Sequence, residues 1–174
     1  LNRELASLVP DAMPPLLTVD QEGGRVQRVK DGATKWPPLR WVGNCADAMT
    51  TAEHARALAD EVYALGFNLN WAPVADVNSN PKNPVIGDRS FGTDPRVVAA
   101  QVALWIREAQ ARGVMACAKH FPGHGDTAQD SHHHLPVVEK ELPDLLAVER
   151  PPFEAAIRAG VAAIMTAHVV FPDL

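Results

Sequence analysis

The chain lacks the features that mark nucleic-acid binders, membrane proteins and disulfide-stapled domains. Sixteen Lys and Arg stand against 21 Asp and Glu, giving a net charge of −5. The basic residues are dispersed, whereas a polyanion-binding surface needs them clustered, so no nucleic-acid partner is expected. Two cysteines in 174 residues, Cys45 and Cys117, cannot build a disulfide framework, and Cys117 in its apolar run reads as a small buried hydrophobe. Ala159 to Pro172, as long as any run without formal charge in the chain, is shorter than the roughly 20 apolar residues that cross a bilayer, so no membrane span is expected. The chain opens without Met and without a basic-then-apolar leader. Any signal peptide would therefore lie outside this sequence; a cytoplasmic setting is the expectation, and an exported lipoprotein stays open because the N-terminus is missing. Nucleotide loops of the G-x-G-x-x-G or Walker type, the H-E-x-x-H zinc motif and the G-x-S-x-G elbow are all missing, which removes the commonest signatures of dinucleotide, metalloprotease and serine-hydrolase chemistry.

What is present is a repeat. Gly66, Gly113 and Gly160 are spaced by 47 residues, each between a helix-like and an apolar, strand-like segment. Ala55, Leu58, Ala59 and Val62 follow helical periodicity, with Thr50 and Glu53 as the expected capping box. Asp94 and Pro95 are an N-cap and first helical residue for a second helix through Val98, Val102, Trp105, Ile106 and Ala109. Four apolar segments, Leu16–Asp20, Phe67–Val74, Val114–Lys119 and Val161–Val170, read as parallel strands. Strand, loop, helix, glycine, strand predicts an α/β fold, a partial (β/α)8 TIM-type barrel of about four βα units, with residues 1–174 as a single domain.

Polar residues follow each of these segments: Asp20-Gln21-Glu22-Gly23-Gly24, then Asp76 and Asn78, then Lys119-His120, then His168. Strand ends of a parallel α/β fold meet on one face, where side chains from separate strands converge on a ligand. Asp20 can accept paired hydroxyl hydrogen bonds, and Arg25 and Arg28 follow as guanidinium donors; a turn capping a following helix is the plainer alternative. Ile86-Gly87-Asp88-Arg89-Ser90-Phe91-Gly92 lies in an Asn- and Pro-rich stretch that would otherwise read as a surface turn.

His120, His124, His132, His133 and His134 raise the question of a metal, but Pro122, Gly123 and Gly125 preclude the helical i, i+4 pairing that zinc sites favour. No metal and no cofactor is expected. Asp130-Ser131-His132 is more specific, since a carboxylate two residues from an imidazole can hold its Nδ1 proton and leave Nε2 as a general acid/base.

Together, Val19-Asp20-Gln21-Glu22-Gly23-Gly24-Arg25-Val26-Gln27-Arg28, Ile86-Gly87-Asp88-Arg89-Ser90, Lys119-His120-Phe121-Pro122-Gly123-His124-Gly125 and Asp130-Ser131-His132 resemble, in order, the motifs of bacterial β-N-acetylhexosaminidases of glycoside hydrolase family 3. The resemblance implies a TIM-type barrel that removes terminal β-linked N-acetylglucosamine with retention, through a glycosyl-enzyme intermediate. It implies sugar binding by Asp20, Arg28, Arg89, Lys119 and His120, with His132 as acid/base and Asp130 as its partner. The substrate class would be small N-acetylglucosaminides such as muropeptides from cell-wall recycling. The family's nucleophilic Asp follows a strand beyond the Ala167-His168-Val169 segment; Asp173 comes too early, so that residue is expected downstream and the chain reads as the interior of a longer enzyme. A β-glucosidase, a phosphorolytic relative, a non-catalytic sugar-binding fragment and a metal-dependent hydrolase are the alternatives.

Overall fold

The computed structural model describes residues 1–9, 15–128 and 135–172. In chain order its elements are α1 (Asn2–Ala6), β1 (Thr18–Val19), β2 (Gln21–Gly23), β3 (Val26–Gln27), α2 (Leu39–Asn44), α3 (Ala48–Ala64), β4 (Leu69–Asn70), α4 (Pro95–Ala111), β5 (Met115–Phe121), α5 (Leu142–Val148), α6 (Arg150–Arg158) and β6 (Ala163–Thr166), with a single 3₁₀ turn at Gly87–Arg89. Strands β1, β4, β5 and β6 form one sheet in that order, and every pairing is parallel. The order follows the chain without a switch point, and helices separate each pair of neighbours. This is the grammar of a barrel; a doubly wound sheet would reverse its direction of growth.

The expected strands Leu16–Asp20 and Val161–Val170 are regular only at Thr18–Val19 and Ala163–Thr166, and two further details differ from the sequence expectation. The strand read over Phe67–Val74 is regular only at Leu69–Asn70. Pro73 has no N–H to give to a ladder, yet contact with β5 continues past Asn70: the Ala72 and Pro73 carbonyls accept from the Cys117 and Lys119 N–H groups at 2.8 and 3.3 Å, and the Ala75 N–H donates to the Lys119 carbonyl at 2.7 Å. The α3 helix begins before the expected Thr50–Glu53 box. The Asp47 carboxylate caps it by accepting from the Met49 and Thr50 N–H groups, and a cap that close to the chain's turn fixes the first helical residue at Ala48. The Asp94 cap of α4 stands as read, accepting from Arg96 and Val97, with Pro95 as first residue.

The apolar stripes of α3 (Ala55, Leu58, Ala59, Val62) and α4 (Val98, Val102, Trp105, Ile106, Ala109) are buried in the same cluster as Val74, Val114, Ala116 and Ala118. Truncating one of the larger of these side chains, such as Leu58→Ala, costs about 2–5 kcal/mol in comparable cores. Helix α3 packs on α4, and α4 on α6. The helices thus lie on the outside of the arc, and the strand ends are brought together on one rim.

Candidate active site

The rim is built by hydrogen bonds between neighbouring strands. Asn70 at the end of β4 exchanges two bonds with the backbone of Gln21, 3.0 Å to its N–H and 2.8 Å from the amide to its carbonyl. The buried Gln21 side chain in turn accepts from the Arg28 and Val29 N–H groups at 2.9 and 3.1 Å. The segment after β1 therefore folds into the β2–β3 hairpin, and the next helix, α2, begins only at Leu39. The helix-capping alternative for this motif is replaced by a hairpin that carries Asp20 and Glu22 into the rim and Arg28 to its edge.

A cage of charges fills the centre. Lys119, 1% exposed, extends from β5 to Asp20 Oδ1 at 2.7 Å and to Glu22 Oε1 at 2.5 Å. Arg89 holds Glu22 with both edges of its fork, Nε to Oε2 at 2.9 Å and Nη2 to Oε1 at 2.8 Å. Burial alone would raise the Glu22 pKa, but hydrogen bonds and charge from Arg89, together with Lys119, bring it down to about 2, so it is an anion at any working pH. Because both cations are tied to Glu22, their remaining donors are aimed without a search through rotamers.

Asp76, fully buried, organises the next sector. Its Oδ1 accepts from the His120 and His124 backbone N–H groups at 3.2 and 2.7 Å, and its Oδ2 lies 2.7 Å from His120 Nδ1. With Nδ1 engaged by Asp76, Nε2 is the His120 nitrogen that can serve a ligand. Burial lowers the His124 pKa despite the nearby Asp76 charge, and its Nδ1 sits 2.9 Å from Thr127 Oγ1.

The loop carrying Arg89 is ordered by its own side chains. Asn83 Oδ1 accepts from the Val85 and Ile86 N–H groups at 2.8 Å each, while its amide donates 2.7 Å to the His124 carbonyl. Ile86 and Phe91 are buried at 0% and 1% exposure, so the surface-turn alternative is overturned. Two glycines let backbone press directly on this stretch. A Cβ at Gly43 of α2 would come 1.9 Å from the Phe91 carbonyl oxygen, and one at Gly125 would come 1.6 Å from that of Val77.

Asp20, Arg28, Arg89, Lys119 and His120, the five sugar-site candidates within the described residues, all line one cavity of about 250 Å³. His124, Val26, Val85, Met165, Thr166 and His168 complete its wall. Arg25 does not join them: it donates to the Pro84, Val85 and Ile86 carbonyls and pairs with Asp88 at 3.3 Å, bracing the Arg89 loop from outside. Asp130 and His132 lie outside the described residues, as do His133 and His134. Among the described residues no group of three His, Cys, Asp or Glu is disposed to hold a metal ion. Sequence reasoning did not assign Glu22 or Asp76. Both follow strand-like segments, and that position was the available signal, but their partners are 67 and 44 residues away.

An arc of parallel strands with a carboxylate-and-cation cavity at its C-terminal rim defines part of an α/β barrel with its candidate ligand site where such barrels keep theirs. The profile of the Glycosyl hydrolase family 3 N terminal domain matches residues 2–174. The chain belongs to this family. A β-hexosaminidase of Stenotrophomonas maltophilia (strain R551-3) is 44% identical over 167 residues, covering 92% of the chain and 49% of the relative. A β-N-acetylglucosaminidase of glycoside hydrolase family 3 from Paenibacillus sp. str. FPU-7 superposes with a TM-score of 0.95 at 45% identity, covering 99% of the chain and 33% of that protein. NagZ from Neisseria gonorrhoeae, solved in complex with N-trifluoroacetyl-D-glucosamine, gives a TM-score of 0.91 at 37% identity, with 99% and 52% coverage. The chain spans about half the length of the curated relatives it matches.

Proposed function

We infer that the protein carrying this chain is a retaining glycosidase that releases terminal β-linked N-acetylglucosamine. The observation that carries the reading is the convergence of Asp20, Arg28, Arg89, Lys119 and His120 on one cavity, supported by relatives named β-hexosaminidase and β-N-acetylglucosaminidase.

Asp20 has Oδ1 on Lys119, so Oδ2 can accept a sugar hydroxyl while the lysine holds the carboxylate in place. Lys119, Arg89 and Arg28 offer charge-assisted donors to the ring substituents, and His120, oriented by Asp76, offers Nε2. Fixed in advance, these groups orient the sugar without reorganising when charge develops at its anomeric carbon. In this reading His132, with Asp130 holding its Nδ1 proton, protonates the departing oxygen and later activates water, and an Asp beyond this chain forms the glycosyl-enzyme bond. No metal or cofactor takes part. Small N-acetylglucosaminides from cell-wall recycling are the proposed substrates, and the cytoplasm the proposed compartment. Among the described residues no helix is long and apolar enough to cross a membrane.

The test is kcat/KM on N-acetyl-β-D-glucosaminides of poor and good leaving groups, using the protein at its relatives' length. His132→Ala should lose activity on the poor leaving group and keep much of it on the good one. Normal activity on the poor leaving group would overturn the acid/base role. Faster turnover of the glycosidic bond when phosphate is added would favour phosphorolysis, and preference for unsubstituted glucosides would favour a β-glucosidase.

A further inference from the structure

The mechanism leaves a partly buried ionic cluster unused. Lys140, 13% exposed at its side chain, places Nζ 3.2 Å from Asp126 Oδ2 and 3.2 Å from Glu149 Oε1. The three residues come from three places. Asp126 closes the turn after Gly125, on the outgoing side of the stretch that contains Asp130 and His132. Lys140 stands on its returning side, just before α5. Glu149, 2% exposed, lies at the junction of α5 and α6.

Each arm is also tied independently to the barrel. On the outgoing side the Asn80 amide donates to the Asp126 carbonyl at 3.4 Å, and the Asn83 amide donates to His124 and Thr127. On the returning side the Val138 N–H donates to the Val170 carbonyl and the Val170 N–H to Pro136, both at 2.9 Å. Lys140 alone among these contacts joins the two arms to each other. Glu149 sits directly beneath the turn, since a Cβ at Gly123 would come 2.4 Å from its Oε2, an oxygen with no hydrogen-bond partner among the described residues.

An ion pair on an open surface would contribute little, but here one acid is buried and the cation nearly so. A lysine suits the position, because its three donors can serve acids in different directions. We propose that Lys140 is a positioning residue for the proton-transfer step: by holding Asp126 and Glu149 together it fixes the two ends of the chain segment whose sequence contains Asp130 and His132. The proposal rests on the acid/base reading of His132 given above. A displacement of about 1 Å at either point would misplace a proton donor enough to cost about 10- to 100-fold in rate.

The experiment uses the protein at its relatives' length and compares Lys140→Met, Lys140→Arg, His132→Ala and the Lys140→Met/His132→Ala double variant on alkyl and 4-nitrophenyl N-acetyl-β-D-glucosaminides. A donor displaced but sugar site intact predicts that Lys140→Met lowers kcat/KM about 10- to 100-fold on the alkyl glycoside and less than about threefold on the nitrophenyl one. Lys140→Arg should recover most of the loss, and the double variant should be no slower than His132→Ala alone. Equal loss on both substrates, additive loss in the double variant, or an unchanged Lys140→Met overturns the positioning role while the acid/base reading stands. His132→Ala with normal activity on the alkyl glycoside overturns that reading and the positioning role with it. Should Lys140→Met fail to melt as a folded protein, Asp126→Asn, which keeps the Lys140–Glu149 pair, must show the same substrate dependence; an equal effect on both substrates again overturns the proposal.

Discussion

Glu22 and Glu149 are both buried, at 1% and 2% exposure, yet their carboxyls are driven in opposite directions. Burial raises both. At Glu22 the effect is overcome by a bidentate guanidinium and an ammonium, and the pKa falls to about 2. At Glu149 burial dominates, a single ammonium on one oxygen only partly opposes it, Asp76 and Asp126 add repulsion, and the pKa rises to about 7. The contrast shows that the count of cations, and whether both oxygens are served, decides the charge of a buried acid. It also separates two places: the cage contributes Asp20, Arg89 and Lys119 to the cavity wall, while the half-satisfied acid lies under the Gly123 turn.

The largest expected effect comes from breaking the cage. Glu22→Met leaves Lys119 and Arg89 buried with one shared counter-charge fewer, and should cost about 3–5 kcal/mol in urea unfolding. A loss below about 1 kcal/mol would mean that Asp20 and the Val85 carbonyl suffice for the two cations.

The two acids should also give opposite pH dependences of stability. Glu22 has a depressed folded pKa, so its contribution is present above the unfolded value of 4.5 and lost as pH falls toward 2; with one pKa unit worth about 1.4 kcal/mol, about 3 kcal/mol is at stake. Glu149 has a raised folded pKa, so the folded state holds its proton more tightly. Its contribution is complete below 4.5 and is lost as pH rises to about 7, again up to about 3 kcal/mol. Urea titrations across pH should show Glu149→Gln flattening the 4.5–7 window and leaving the acid limb in place. The same slope in wild type and variant would remove Glu149 from the account.

The smallest effect sharpens the geometry. Gly123→Ala introduces a Cβ against the Glu149 carboxylate at a backbone φ of +152°, with an expected cost of about 1–3 kcal/mol. Part of that cost should disappear in a Glu149→Ala background; full additivity would show that the strain lies in the backbone alone.

Local pattern made much of this legible. Asp94 and Pro95 announce α4, the recurrent glycines announce the helix-to-strand turns, and Asp20 and Lys119-His120 stand where apolar runs end. Each of these is decided by neighbours within a few residues. The roles of Glu22 and Asp76 are not, because a carboxylate reads the same whether it meets solvent, a ligand or a guanidinium 67 residues away. Arg25 and Arg28 show the same limit: they lie three residues apart in one hairpin, and only the packing of the 84–88 stretch sends one to brace a loop and the other to the cavity. The early start of α3 escaped because Asp47 and Thr50 are both good caps, and which one serves depends on where the preceding chain turns.

The backbone contacts at Gly43 and Gly125 bear on redesign. Because the stretch from Val77 to Phe91 is gripped at both ends by main chain from other elements, its ends cannot shift to accommodate added length. Ser79, Pro81 and Lys82 are exposed between those grips, so an epitope or fluorophore spliced in at Pro81–Lys82 would bulge into solvent and leave the Arg89 guanidinium where it is.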